Sequence, residues 1–223
     1  MDVNEIFYSI EGEGIRAGMP CVFVRFNGCN LNCSYCDTPY AHKSSDCDTD
    51  DMTVEQIVET IRFYGCPNVT LTGGEPLLQK DIDDLLYQLS RLGFNVNIET
   101  NGTINAYDFK NTTNSNVIVT MDYKCISSGV DRPRNLTNYI DLETKDVLKF
   151  VVGTQEDMNE AFQIISALCM AHNNHIPNIY FSPVFGEIEP SEIAEFLKSH
   201  GLYECKVQVQ LHKILWDPNK RGV

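Results

Sequence analysis

The chain has 223 residues, 43% of them apolar and 22% charged, so it can bury a sizeable core and is not a disordered chain. Its 31 acidic and 17 basic side chains leave a formal charge of −14, which repels phosphate and argues against nucleic acid or an anionic membrane surface as the main partner. No apolar run approaches the ~20 residues that span a bilayer, and the Met1–Glu5 start has neither the basic nor the apolar region of a signal peptide. The expectation is one globular domain over residues 1–223, in the cytoplasm. Nine cysteines are far too sparse for a secreted disulfide scaffold, so their clustering points to metal.

In chain order, apolar runs rich in β-branched residues alternate with stretches of helical periodicity, the pattern of β/α units. Strands are expected at Cys21–Phe26, Val69–Thr72, Asn95–Glu99, Val117–Thr120, Val147–Val152, Ile179–Ser182 and Lys206–Gln210. Several are continuously apolar, as buried parallel strands are. Thr53 and Gln56 have the spacing of a capping box ahead of a helix that turns Val54, Ile57, Val58 and Ile61 to one face. A second helix is expected over Asp81–Leu92 with Ile82, Leu85, Leu86 and Leu89 inward and Gly93 ending it in the left-handed conformation. Further helices are expected near Glu156–Ala171 and Ser191–Ser199. About six or seven strands are too few for a closed eight-stranded barrel. An α/β fold with an open, partial barrel of about six parallel strands, or a doubly wound sheet, fits better.

The sharpest local signal is Gly28-Cys29-Asn30-Leu31-Asn32-Cys33-Ser34-Tyr35-Cys36-Asp37-Thr38, three cysteines at CxxxCxxC spacing directly after the first expected strand. Three thiolates can hold a 4Fe-4S cube and leave one iron open to another molecule. The alternative on this loop alone is structural zinc, with Cys21, Cys47 or His42 as fourth ligand. Cys66, Cys125, Cys169 and Cys205 have no partner spacing and read as small buried apolar residues. Apart from that zinc alternative, His42 reads with His172, His175 and His200 as a surface or helix histidine. The second signal is Leu71-Thr72-Gly73-Gly74-Glu75-Pro76 at a strand end, where glycines let a ligand approach the backbone and a carboxylate can hold an amino group.

Together the two segments resemble the radical S-adenosylmethionine (SAM) superfamily, whose open iron chelates the amino and carboxylate groups of SAM. Ile6–Gly14, Phe23–Gly28, Met121–Cys125, Gln210–Trp216 and Lys220–Val223 narrow the resemblance, over nearly the whole chain, to the 7-carboxy-7-deazaguanine synthase family. That resemblance implies a lyase that turns 6-carboxy-5,6,7,8-tetrahydropterin into 7-carboxy-7-deazaguanine with loss of ammonia, on the route to queuosine-type bases. A 4Fe-4S cluster, SAM and Mg2+ are the implied cofactors, a flavodoxin- or ferredoxin-type protein the reductant, and a homodimer the assembly. Cys29, Cys33 and Cys36 would ligate the cluster. Tyr35, Asp37, Gly74, Glu75, Asp122, Tyr123, Lys124, Ser182, Pro183, Val184 and Phe185, with the Cys36 backbone, would surround SAM. Ile10, Glu11, Gly12, Arg25, Thr72 and the Val223 carboxylate would meet the substrate, and Thr38 would ligate magnesium.

Without the resemblance, Asp122 and Lys124 read equally as a surface ion pair, Arg25 as a solvated edge or buried ion pair, and Thr38 as a loop-capping hydroxyl. Relatives often carry Gln where this chain has Glu11, and Pro where it has Ile126. Apart from the N-terminal segment and tail, these residues fall at the C-terminal ends of expected strands, where α/β sheets build their sites. Two rivals remain: a glycyl-radical activating enzyme acting on a peptide backbone, and a noncatalytic zinc-binding module.

Overall fold

The computed structural model describes residues 1–42, 50–110, 116–131, 136–171 and 176–223. Cys47, His172 and His175 lie outside them. The strands are β1 Asp2–Ile10, β2 Pro20–Phe26, β3 Asp50–Asp51, β4 Asn68–Gly73, β5 Asn95–Thr100, β6 Val117–Lys124, β7 Val147–Val152, β8 Asn178–Pro183 and β9 Lys206–Val207. The helices are α1 Val54–Phe63, α2 Ile82–Arg91, α3 Tyr107–Lys110, α4 Thr137–Ile140, α5 Gln155–Ala171, α6 Pro190–Ser199 and α7 His212–Leu215. All nine strands share one sheet in the order β3-β1-β2-β4-β5-β6-β7-β8-β9. From β2 to β9 every neighbouring pair is parallel, giving the expected open barrel, while β1 runs antiparallel to both β2 and β3.

The seven expected strands all form, and two additions were not foreseen. β1 alternates too irregularly to announce itself, and its register with β2 slips between Val3 and Glu5. β3 has only two residues and is held by β1. β6 runs on to Lys124, beyond the expected Thr120, whereas β9 stops at Val207 rather than Gln210.

Period-two alternation gives each parallel strand two unlike rows. Val22, Val24 and Phe26 of β2, Val69 and Leu71 of β4, Val96 and Ile98 of β5, Met121 and Tyr123 of β6, and Phe150 and Val152 of β7 face the helices in one continuous core. Ile57 and Ile61 of α1, Leu85 and Leu89 of α2, Met158 and Ile165 of α5, and Ile193 and Phe196 of α6 complete that layer. Burying one such side chain contributes about 1.5–3 kcal/mol. The opposite row points into the barrel and is polar: Arg25, Thr72, Glu99, Asp122, Lys124 and Lys149 all line its interior. The core therefore lies outside the barrel, and its inside is left for chemistry.

The expected helix faces are borne out: Val54, Ile57, Val58 and Ile61 of α1 are buried, as are Ile82, Leu85, Leu86 and Leu89 of α2. Gly93 takes φ +81°, the left-handed value required after α2. Cys66 and Cys125 are buried as expected, but Cys169 and Cys205 are only half-buried. The capping box at α1 is complete. Gln56 N–H donates to Thr53 Oγ1 at 3.3 Å, and Thr53 N–H donates to Gln56 Oε1 at 2.8 Å. Thr53→Ala should lower stability by about 1 kcal/mol and Thr53→Ser by much less, read as the shift in urea midpoint.

Candidate active site

The C-terminal ends of the parallel strands open on one cavity of about 1070 Å³. Cys29, Cys33 and Cys36 line it, and two backbone junctions fix the loop that carries them. At the first, Gly74 N–H donates to Phe26 O (3.0 Å), Glu75 N–H to Gly28 O (2.8 Å) and Gly28 N–H to Ala41 O (2.8 Å). Both glycines at this crossing are required. A Cβ at Gly73 would lie 2.1 Å from Phe26 O, and one at Gly74 would lie 2.0 Å from Gly28 O. At the second junction, Ser34 N–H donates to Ser128 O (2.9 Å) and Ser34 Oγ to Ser127 O (2.7 Å). The 126–128 turn is held in its own place by α5. Asp157 accepts the Ser127, Gly153 and Thr154 N–H groups, and Glu160 accepts Ile126 N–H and Tyr123 O–H.

The thiols of Cys29 and Cys33 are raised by burial, Cys29 further by Glu75 and Cys33 by the neighbouring sulfurs. Cys36 Sγ lies 3.1 Å from His42 Nε2. Among the described residues, no three of these sulfurs and His42 lie within 4.8 Å of one another, as ligands ~2.3 Å from one zinc would have to. Cys21 is engaged elsewhere, 3.3 Å from Thr70 Oγ1. A spread set of three free thiols beside a side-chain-free glycine edge suits a larger inorganic cluster with one open position. The residues present fit a 4Fe-4S cluster with SAM beside it.

The cavity also collects Tyr35, Asp37, Gly74, Asp122, Lys124, Pro183, Val184 and Phe185 of the expected SAM set, and Ile10, Glu11, Gly12, Arg25, Thr72 and Val223 of the expected substrate set. Thr38 is there too, its hydroxyl 3.5 Å from Gly73 O and 3.8 Å from Cys36 Sγ. Glu75, Tyr123 and Ser182 are not brought to the lining. Tyr123 stands on the helix-facing row of β6, one residue out of phase with Asp122 and Lys124, and Ser182 is buried. The Glu75 carboxylate turns inward to accept Leu77 N–H (3.1 Å), Thr100 O–H (2.8 Å) and Asn101 N–H (2.7 Å). It clamps the ends of β4 and β5 together, and burial pushes it up to about 7.

Arg25 spends its Nε on Glu5 Oε1 at 2.8 Å, leaving the two terminal nitrogens of the fork for an acid in the cavity. Both Glu11 oxygens are taken, by Thr70 O–H (2.5 Å) and Gly12 N–H (3.1 Å). Burial raises the Glu11 carboxyl, and the bond from Thr70 and the nearby Arg16 oppose that shift.

Sequence reasoning named Asp122 and Lys124 but passed over Lys149, Glu13 and Glu99 on the same barrel wall. Lys149 Nζ pairs with Glu13 and, at 3.0 Å, with Asp122 Oδ1, whose other oxygen accepts from Lys124 Nζ at 2.9 Å. Burial opposes ionisation of Asp122, but Lys124 and Lys149 outweigh it and hold the carboxyl below its usual range. The signal was present: Lys149 is the one charged residue in the otherwise apolar Val147–Val152 run. Glu99, which accepts Thr72 O–H at 2.8 Å, is pushed up to about 8 by burial and by Glu11 and Glu13. The folded protein therefore binds this proton more tightly than the unfolded chain does. That stabilisation is full below the ordinary carboxyl value of 4.5 and is lost as pH rises toward about 8. Urea midpoints of the wild type should fall across that window, and those of Glu99→Gln should fall less steeply.

A profile of the radical SAM superfamily matches residues 23–200. The 7-carboxy-7-deazaguanine synthase of Clostridium acetobutylicum is 46% identical over 99% of this chain and 98% of its own length. The enzyme of the same name from Methanospirillum hungatei is 40% identical over 98% of this chain and 86% of its own. Among solved structures, QueE from Escherichia coli superposes with a TM-score of 0.73 at 21% identity, covering 94% of this chain and 93% of that one, a likeness that speaks for the fold. Streptococcus suis SuiB bound to S-adenosylmethionine superposes at 0.58 and 16% identity, over 81% of this chain and 45% of that one. With a superfamily profile over most of its length and 46% and 40% identity to two named synthases over nearly the whole chain, the chain belongs to the 7-carboxy-7-deazaguanine synthase family of the radical SAM superfamily.

Proposed function

We infer that this chain is a radical SAM lyase that converts 6-carboxy-5,6,7,8-tetrahydropterin to 7-carboxy-7-deazaguanine with loss of ammonia, in 7-deazapurine (queuosine) biosynthesis. The observation that carries this reading is the single cavity shared by the three loop thiols, the Gly73–Gly74 edge and the acid-binding fork of Arg25. Family membership implies a 4Fe-4S cluster and SAM, which when bound supply the one-electron chemistry that generates a 5′-deoxyadenosyl radical. Cys29, Cys33 and Cys36 are the residues to hold the cluster. The backbone at Tyr35–Asp37 and Gly74, with Asp122, Lys124 and Pro183–Phe185, supports the SAM site.

Toward the pterin, Arg25 supplies a fixed cationic fork for a carboxylate, already oriented by Glu5. Thr72 donates to Glu99, which fixes its hydroxyl oxygen as an acceptor facing the cavity. Glu13, Lys149, Asp122 and Lys124 on the barrel wall are each tied to an oppositely charged neighbour, which holds that part of the surface in place. Thr38 is our candidate protein ligand for Mg2+, a hard ion that takes few protein oxygens and fills its shell from substrate and water. A cavity that carries the Arg25 fork favours a small acid over the peptide backbone of an activating enzyme. One continuous sheet supports reading residues 1–223 as a single domain. Among the described residues no helix is long and apolar enough to cross a membrane. A flavodoxin- or ferredoxin-type reductant, a homodimer and a cytoplasmic location complete the reading.

The test is an anaerobic assay of the reconstituted, reduced protein with SAM, Mg2+ and 6-carboxytetrahydropterin, following the deazapurine by chromatography and mass. Product without stoichiometric loss of SAM is the expected result; SAM cleavage without a deazapurine would remove the substrate assignment. Deleting residues 220–223 should abolish turnover and leave iron and sulfide content unchanged. Thr38→Ala should weaken activation by magnesium while keeping the iron, and an unchanged magnesium titration would count against Thr38.

A further inference from the structure

The segment after α7 is ordered by its own contacts. Lys220 N–H donates to Asp217 O and Asn219 N–H to Asp217 Oδ1, both at 2.9 Å, which makes a closed turn. Beyond that turn the Arg221 guanidinium lies 3.7 Å from the centre of the Tyr40 ring, and its Nη2 donates to Asn4 Oδ1 at 3.1 Å. Gly222 then takes φ +69° with open space where a side chain would be, so the backbone reverses in a conformation that favours glycine. Val223, after the reversal, lines the cavity.

Tyr40 is itself part of a stack built on the barrel wall. The Phe23 and Phe7 rings are parallel to within 9° at 5.0 Å, and the Arg25 guanidinium lies 5.6 Å from Phe7 and 6.0 Å from Tyr40. Tyr40 O–H and Arg25 Nε both donate to Glu5 Oε1. The tail is thus seated on the same stack that orients the fork of Arg25.

We propose that Arg221, laid over Tyr40, is the latch that holds residues 217–223 across the cavity and fixes where Val223 sits. Arg221 and Tyr40 are then positioning residues, acting through Val223 rather than on the substrate. The proposal rests on the reading above that Val223 meets the pterin. A planar guanidinium suits the role because it can cover the ring face and still direct an N–H to Asn4, which an ammonium cannot do as well.

The test joins a measurement of the tail with one of catalysis, on the reconstituted enzyme and its Arg221→Ala, Arg221→Lys, Tyr40→Leu and Tyr40→Phe variants. The chain has a single tryptophan, Trp216, at the root of the tail, so acrylamide quenching of its fluorescence reports tail opening. Release of Val223 by a carboxypeptidase reports it independently. Arg221→Ala and Tyr40→Leu should each speed release and increase quenching several-fold. Each should also raise KM for 6-carboxytetrahydropterin about two- to fivefold, the range of an exposed cation–π contact, with a smaller change in kcat. Arg221→Lys should recover part of both effects, Tyr40→Phe most of them, and the Arg221→Ala/Tyr40→Leu pair should be no worse than either alone.

Release and quenching at wild-type rates in Arg221→Ala would overturn the latch, whatever the turnover. A loosened tail with unchanged KM would overturn the positioning role. Tyr40→Phe behaving as Tyr40→Leu would shift the effect to the bond with Glu5 and overturn the ring contact. If the wild type makes no deazapurine, it is the functional reading that fails, and the two tail measurements still decide the latch.

Discussion

The crossing of two backbones, Phe26–Gly28 against Gly73–Glu75, is the contact on which the site depends. The loop bearing three thiols leaves β2, and the glycine edge leaves β4, a neighbouring parallel strand in register with it. Adjacent strand ends lie about 4.8 Å apart, so their following loops collide unless one has no side chains. Gly73 and Gly74 resolve that collision and convert it into hydrogen bonds to Phe26 O and Gly28 O. The consequence is geometric: thiols from one loop and bare backbone from the other face the same space without any long-range adjustment. Glu75 secures the arrangement from behind by tying β4 to the end of β5.

A barrel with its apolar core outside has to tolerate charge inside. Leaving one member of a buried ion pair without its partner costs about 3–5 kcal/mol, more than one well-buried aliphatic side chain contributes. The wall meets this by alternation, Glu13, Lys149, Asp122, Lys124, so that each inner member has opposite charge on both sides. Glu99 and Glu11 stand at the acidic end of the same wall, and burial first, then neighbouring acidic charge, raises both carboxyls. A surface held this way does not reorganise when a charged ligand arrives, which is the condition for electrostatic preorganisation.

How legible these features were depended on their range in sequence. Val147–Val152 and the Thr53 capping box are local patterns, and each forms as read. The CxxxCxxC and GGEP segments are local too, but nothing in either shows that they are hydrogen-bonded to each other. Glu75 illustrates the limit, since a carboxylate in a ligand-binding motif reads as a ligand contact, whereas its three donors come from residues 77, 100 and 101 and turn it inward. The alternation of β6 could have separated Tyr123 from Asp122 and Lys124, had the strand been carried past Thr120. Lys149 was visible as an oddity. Its partners, Glu13 and Asp122, were not, because only strand pairing and barrel curvature bring them to it.

The same reasoning explains why both ends of the sequence belong to the site. A sheet that stops short of closure leaves a gap, and in this chain residues 11–14 and 208–212 fill it together. Gly14 N–H donates to Gln208 Oε1 at 2.9 Å, Leu211 N–H to Gly12 O at 3.3 Å, and Gln208 N–H to Phe181 O at 2.8 Å, joining the segment after β1 to the end of the sheet where β9 pairs with β8. Gly12 is fitted to His212 so closely that a Cβ would stand 3.0 Å from Nδ1. Completing the wall and completing the ligand site are therefore one structural event. It follows that substitutions at Gly14 or Gln208, far from the thiol loop, act on the cavity through its shape, while the thiol loop is pinned separately at Gly28, Gly74 and Ser128.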